Sequence, residues 1–218
     1  MNDMLFPEME TASGYRQIIK NISNLNWAGL DRDGISAVAW AYYFFSIQFR
    51  ENLEVACRLH PEDPALEDLR SEECNTDNLS PWPGVTTVGE KVDHDEFMRR
   101  VLLLTVIDAE TRVRIEQAGQ AYLRATRSED DMTRAISITS YEDGGLEAVF
   151  TAILKCQVWD TDLLQGFKHF LVKHIGFDSN PDAGHGAMIR HLTPDERING
   201  LWMEFFDLLV ISVPQLLG

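Results

Sequence analysis

The chain has 218 residues, 35 of them Asp or Glu and 19 Lys or Arg, which gives a formal net charge of −16 at neutral pH. Phosphate and anionic lipid recognition both need a cationic footprint, so this balance argues against a nucleic-acid partner and against an anionic membrane surface. With 44% hydrophobic and 25% charged residues, the composition is globular and the length suffices to bury one core, so a single domain over residues 1–218 is expected.

Residues 1–12 are expected to form a flexible N-terminus; Asp3, Glu8 and Glu10 stand where a secretory leader would carry basic and then apolar residues. Beyond them, apolar residues recur at three- and four-residue spacing, and alternating Val/Ile/Thr runs are scarce, which predicts an all-α fold of about eight helices. A short amphipathic helix is expected over 15–25. After a turn at 29–34 a long helix covers 36–59, apolar all round in its first half (Trp40, Tyr42, Tyr43, Phe44, Phe45) and therefore central. The run 35–47 is too short to span a bilayer. Pro61 and Pro64 stop that helix, 65–73 forms the next, and 75–89, with Pro81, Pro83 and two glycines, is a long loop suited to a lid. Helices follow over 93–106, 108–127 and 128–140, the first capped by Asp93 and the last by a Ser128/Asp131 box. Gly144-Gly145 breaks the chain before helices at 146–158 and 161–177. Thr193-Pro194 is the expected N-terminus of a closing helix that reaches Leu209 or beyond.

Cys57, Cys74 and Cys156 include no CxxC pair and suggest neither a disulfide framework nor a zinc knuckle, which fits a reducing cytoplasm. The informative stretch holds His169, His174, Asp178, Asp182 and His185. At ~100° per residue, Asp178 lies one turn beyond His174 on the same face, and His185 returns to within about 20° of His174 if the helix persists. Such a stripe of imidazole and carboxylate suits iron or manganese. Pro181 and Gly184 would instead place His185 on a restarted turn, with Asp182 as an alternative to Asp178. Further ligands would come from other helices, with Glu72 or Glu73, His94 and Glu147 as candidates. Each also has an ordinary explanation: solvated acids, a cap, and a first-turn acid favoured by the helix dipole.

The order of these features resembles the heme-oxygenase-like superfamily, and within it the iron-containing redox enzymes or heme-oxygenase-like di-iron oxidases, related to thiaminase-like and pyrroloquinoline-quinone-synthase-like proteins. The resemblance spans about 34–209. It rests on the aromatic run 42–49, Glu72-Glu73 followed by His94-Asp95-Glu96-Phe97, Gly145-Leu146-Glu147, and above all His174, Asp178 and Gly184-His185-Gly186. It implies a single heme-oxygenase-like helical domain with Glu73 (or Glu72), His94, Glu147, His174, Asp178 and His185 as metal ligands for one or two iron ions, manganese being the alternative. In one respect the chain departs from the family pattern. A further carboxylate is usual on the first core helix, near residues 45–48; here the nearest acids are Glu51 and Glu54.

The expected activity is oxidation of a small organic substrate with O2 at a non-heme iron site, within apolar packing around Phe44, Phe45, Phe97 and Phe150. One alternative is a metal-free quinone-synthase-like or thiaminase-like enzyme using His94, His174, Tyr43 or Cys156 as acid, base or nucleophile. Another is a non-catalytic helical binding protein with a degenerate site. Heme breakdown is disfavoured because the earliest histidine, His60, follows the first long helix. The apolar stretch 201–217 is expected in the core, and its excess would suit a homodimer interface.

Overall fold

The computed structural model describes residues 14–178, 184–189 and 191–218. Among the described residues the fold is all-α, with nine helices of nine residues or more and one single turn. They are α1 Gly14–Ser23, α2 Arg32–Leu59, α3 Pro64–Glu73, α4 His94–Leu102, α5 Ala109–Arg127, α6 Asp131–Glu142, α7 Gly145–Ile153, α8 Asp162–Asp178, the turn α9 His185–Met188, and α10 Asn199–Ser212. None is long and apolar enough to cross a membrane.

Side-chain caps set most of the boundaries. Asp31 accepts from Gly34 N at 2.8 Å, so α2 starts four residues before the expected Ser36 and absorbs Gly34. Pro64 does not merely stop the preceding helix; it is the first residue of α3, capped by Asp63. Asp130, not Ser128, caps α6 through Thr133 N at 3.0 Å, and Ser128 closes α5 instead. The closing helix begins later than expected: Asp195 caps a 3₁₀ turn over Glu196–Ile198, and α10 follows it directly. α4 and α7 also end earlier, at Leu102 and Ile153.

The central helix, α2, packs against α3, α4, α5, α6, α8 and α10, which is why its first half has no polar face. Its Tyr42 and Phe45 rings meet Phe150, Phe167 and Phe170 on one side and Tyr141 and Phe205 on the other, with centroids 4.4–5.8 Å apart. In α10, Trp202, Phe205, Phe206 and Leu209 are buried in the chain's own core, while Ile211 and, beyond the helix, Leu217 are exposed. Between α3 and α4 the long loop is closed at its base by paired backbone bonds between Thr76 and Val92, 3.1 and 2.9 Å.

Candidate metal centre

Three side chains from three helices meet beside the middle of α2. Glu73 ends α3, His94 opens α4 and His174 lies in the last turns of α8; one ligand atom from each falls within a 4.8 Å set. All three are buried, at 5–6% exposed. His94 Nδ1 is 2.6 Å from Glu73 Oε2 and 3.0 Å from His174 Nε2.

The outer nitrogens of both rings are committed. His174 Nδ1–H donates to the Phe170 carbonyl at 2.8 Å, which leaves Nε2 as a lone pair in the neutral ring. His94 Nε2 lies 2.9 Å from Asn78 Oδ1, so in the neutral ring its Nδ1 is likewise proton-free. Two imidazole nitrogens therefore converge with a carboxylate oxygen, at a spacing that one shared proton or one cation fills. The second oxygen, Glu73 Oε1, is buried and has no hydrogen-bond partner. A buried acceptor left unsatisfied costs about 1–3 kcal/mol, and here it belongs to a charged group. A divalent cation would satisfy that oxygen and both nitrogens at once, since nitrogens about 2.0–2.1 Å from an ion stand roughly 3 Å apart. The residues thus fit a metal.

The electrostatics agree. Burial pushes the His174 imidazole down, to about 3, which keeps it neutral and ligand-ready at physiological pH. Burial works the other way on Glu73, but the neighbouring imidazoles, His94 first through its 2.6 Å contact and then His174 and His185, outweigh it and hold that carboxyl below the ordinary carboxylate range. Phe170 stacks on His174 at 4.0 Å, and Phe150 meets it edge-on at 6.0 Å. A cavity of about 20 Å³ adjoins the cluster, walled by Tyr42, Ser46, Phe49, Leu146 and Glu142, with Arg50 and Asp95 beyond. That is room for about one water-sized species.

His185 joins from the restarted turn α9, since α8 ends at Asp178 and no single helix carries the His174/Asp178/His185 stripe. Its Nδ1 is 3.0 Å from Glu142 Oε2 and 3.8 Å from Glu73 Oε1, and its Nε2 is 2.8 Å from Glu72 Oε2. Both candidate glutamates thus face the site, Glu73 within it and Glu72 on its half-exposed rim. The side chain of Asp178 and all of Asp182 lie outside the described residues.

Glu147 is placed differently from the expectation. It sits half-buried on the first turn of α7, and the carboxylate that reaches the histidines from this region is Glu142, on the last turn of α6. The helix turns sharply at Gly144, whose φ of +84° suits glycine, so residues on either side of it do not share a face. Sequence reasoning missed Glu142 by ending α6 at Ser140. Extended two residues, the buried stripe Ala135, Ile138 and Glu142 follows the i, i+3, i+7 rule.

Several other candidates stand apart. Glu51 pairs with Arg127 and Glu54 with Arg50, so α2 lends the site no carboxylate; within 45–48, Ser46 lines the cavity and Gln48 accepts from the Tyr122 hydroxyl at 2.8 Å. Tyr42, not Tyr43, is the cavity tyrosine. Cys156 is buried against the Trp27 carbonyl, and burial raises its thiol to about 11. His169 donates to the Leu79 carbonyl at 3.0 Å and stacks on Trp82 at 4.4 Å, fastening the loop to α8.

Compared with protein-family models, with curated proteins and with solved structures, the chain finds no match.

Proposed function

We propose that Glu73, His94 and His174 hold one divalent metal ion, iron or alternatively manganese, and that the protein uses it to oxidise a small organic substrate with O2. The observation that carries the metal assignment is the convergence of two imidazole nitrogens on a buried carboxylate whose second oxygen has no hydrogen-bond partner. Two nitrogens and one oxygen are a donor set typical of iron and manganese rather than of calcium or a thiolate-bound metal, and they leave coordination positions open. Iron bound there supplies the electron chemistry that O2 requires. What supports the dioxygen reaction is the resemblance of the sequence to heme-oxygenase-like di-iron oxidases, carried at this site by Glu73, His94, His174 and His185.

The chain's own groups have separable jobs. Phe170 and Phe150 exclude water from the His174 face, the Phe170 carbonyl orients that ring, and Glu73 supplies the negative charge that a dication needs. His185 already faces carboxylates with both nitrogens, and α2 offers no acid, which favours one ion over two.

Anaerobic loading with Fe(II) followed by elemental analysis is expected to give one ion per chain, falling at least tenfold in His94→Ala and His174→Ala. Wild-type protein that retains neither iron nor manganese sinks the assignment. An oxygen electrode then tests the chemistry: the loaded protein should take up O2, and the His174→Ala protein should not.

A further inference from the structure

We infer that Asn78, on the loop between α3 and α4, is a positioning residue that decides which nitrogen of His94 faces the cluster. A neutral imidazole has one donor and one lone-pair nitrogen, and the partner of one fixes the other. Asn78 Nδ2 lies 2.8 Å from the Glu72 carbonyl oxygen. That oxygen can only accept, so the amide nitrogen must face it, and the orientation of the side chain is set. Oδ1 is thereby turned to His94 Nε2 at 2.9 Å, which must then carry the proton. Nδ1 is thereby the nitrogen that faces Glu73 Oε2 and His174 Nε2.

The loop is built to keep this amide in place. Asp93 stands at the N-cap of α4 yet makes no side-chain cap bond; its Oδ1 accepts instead from Asn75 N at 2.8 Å. With the Thr76–Val92 pair, this closes the stem of the loop beside His94. One amide thus bridges the end of α3, which carries Glu73, and the start of α4, which carries His94. The link between Asn78 and metal affinity rests on the metal reading above, whereas its effect on the imidazole does not.

The test is ¹⁵N-histidine NMR of the metal-free protein at mildly alkaline pH, followed by titration with Mn(II) alone. Wild type should show His94 protonated at Nε2. Asn78→Ala should show a mixture of the two tautomers and bind Mn(II) about 10- to 100-fold more weakly, the usual effect of removing a group that orients a ligand. Asn78→Asp keeps the acceptor and should restore the Nε2–H form even if lost contact with the Glu72 carbonyl lowers stability. A wild-type His94 without a proton on Nε2, or an unchanged tautomer in Asn78→Ala, overturns the inference; so does loss of the Nε2 proton in Asn78→Asp. If the tautomers behave as expected while wild type binds no Mn(II) or Fe(II), the role of Asn78 stands and the metal assignment falls.

Discussion

Gly186 follows His185 in α9, and a Cβ built there would lie 2.6 Å from Asp143 Cα, 2.7 Å from the Glu142 carbonyl oxygen and 2.9 Å from Asp143 N. All three are backbone atoms at the junction of α6 and α7, so no rotamer change relieves the contact. Restoring ordinary separation requires α9 to withdraw by roughly 1 Å, with the overpacking cost of about 1–3 kcal/mol typical of close-packed sites. For a chain of this length each kcal/mol is worth about 2–4 °C, so Gly186→Ala should lower Tm by about 2–12 °C. The withdrawal also stretches the 3.0 Å contact of His185 with Glu142, but leaves α3, α4 and α8 in place, so one ion should still bind. Scanning calorimetry and a metal titration read the two effects. Gly176→Ala is the control, since a Cβ there meets nothing within 4 Å and should stabilise by about 0.5–1 kcal/mol. Equal melting of Gly186→Ala and wild type would refute the close approach, and complete loss of metal would show that His185 belongs to the primary ligand set.

Metal at 100 times its Kd adds about 2.7 kcal/mol to stability, so saturation with Fe(II) or Mn(II) should raise Tm by roughly 5–11 °C; a rise that persists in Glu73→Ala would place the ion elsewhere. Acid should loosen the loop before the core. Arg100 bonds Glu90 and Glu96 and reaches the Val85 carbonyl. Arg100 with Thr87 holds Glu90, and Arg99 with Arg100 against partial burial holds Glu96, at about 2 instead of the ordinary 4.5. Folded pKa values below the unfolded ones mean stabilisation that is complete above 4.5 and fades as pH falls toward 2. Urea midpoints measured from pH 6 to 2 should therefore fall less steeply in Arg100→Gln than in wild type, and parallel curves would argue against the contribution.

Part of the local signal was readable. Asp108 opens α5 through a bond to Thr111 N three residues on, as expected, and the all-round apolar half of α2 marks it as central because it must be covered on every side; Asp31 and Asp63, which cap α2 and α3, fall in stretches that read as a turn and a stop. Glu73, His94, His174 and His185 were legible as ligand-type residues in helix-terminal positions. What escaped was decided by distant partners. Glu142 depends on α6 running two residues further and on a turn 43 positions along the chain coming back to it. Asn78 sits in a loop without periodicity, and its meaning comes from a histidine sixteen residues on. Glu147 has the right chemistry and lies close in sequence, but the left-handed residue at Gly144 turns it to a different face.

The burial of Glu73, His94 and His174 also sets a clock. No ligand atom of an ion seated among them is open to solvent-borne competitors, so a chelator cannot peel donors away one at a time. Release waits on local opening, in which the contacts of α3 with α9 and of the loop with α4 separate together, and such openings draw on a sizeable fraction of global stability. The dwell time of an ion bound there would then be governed by how often the protein breathes, and two ions of quite different affinity would leave at similar rates.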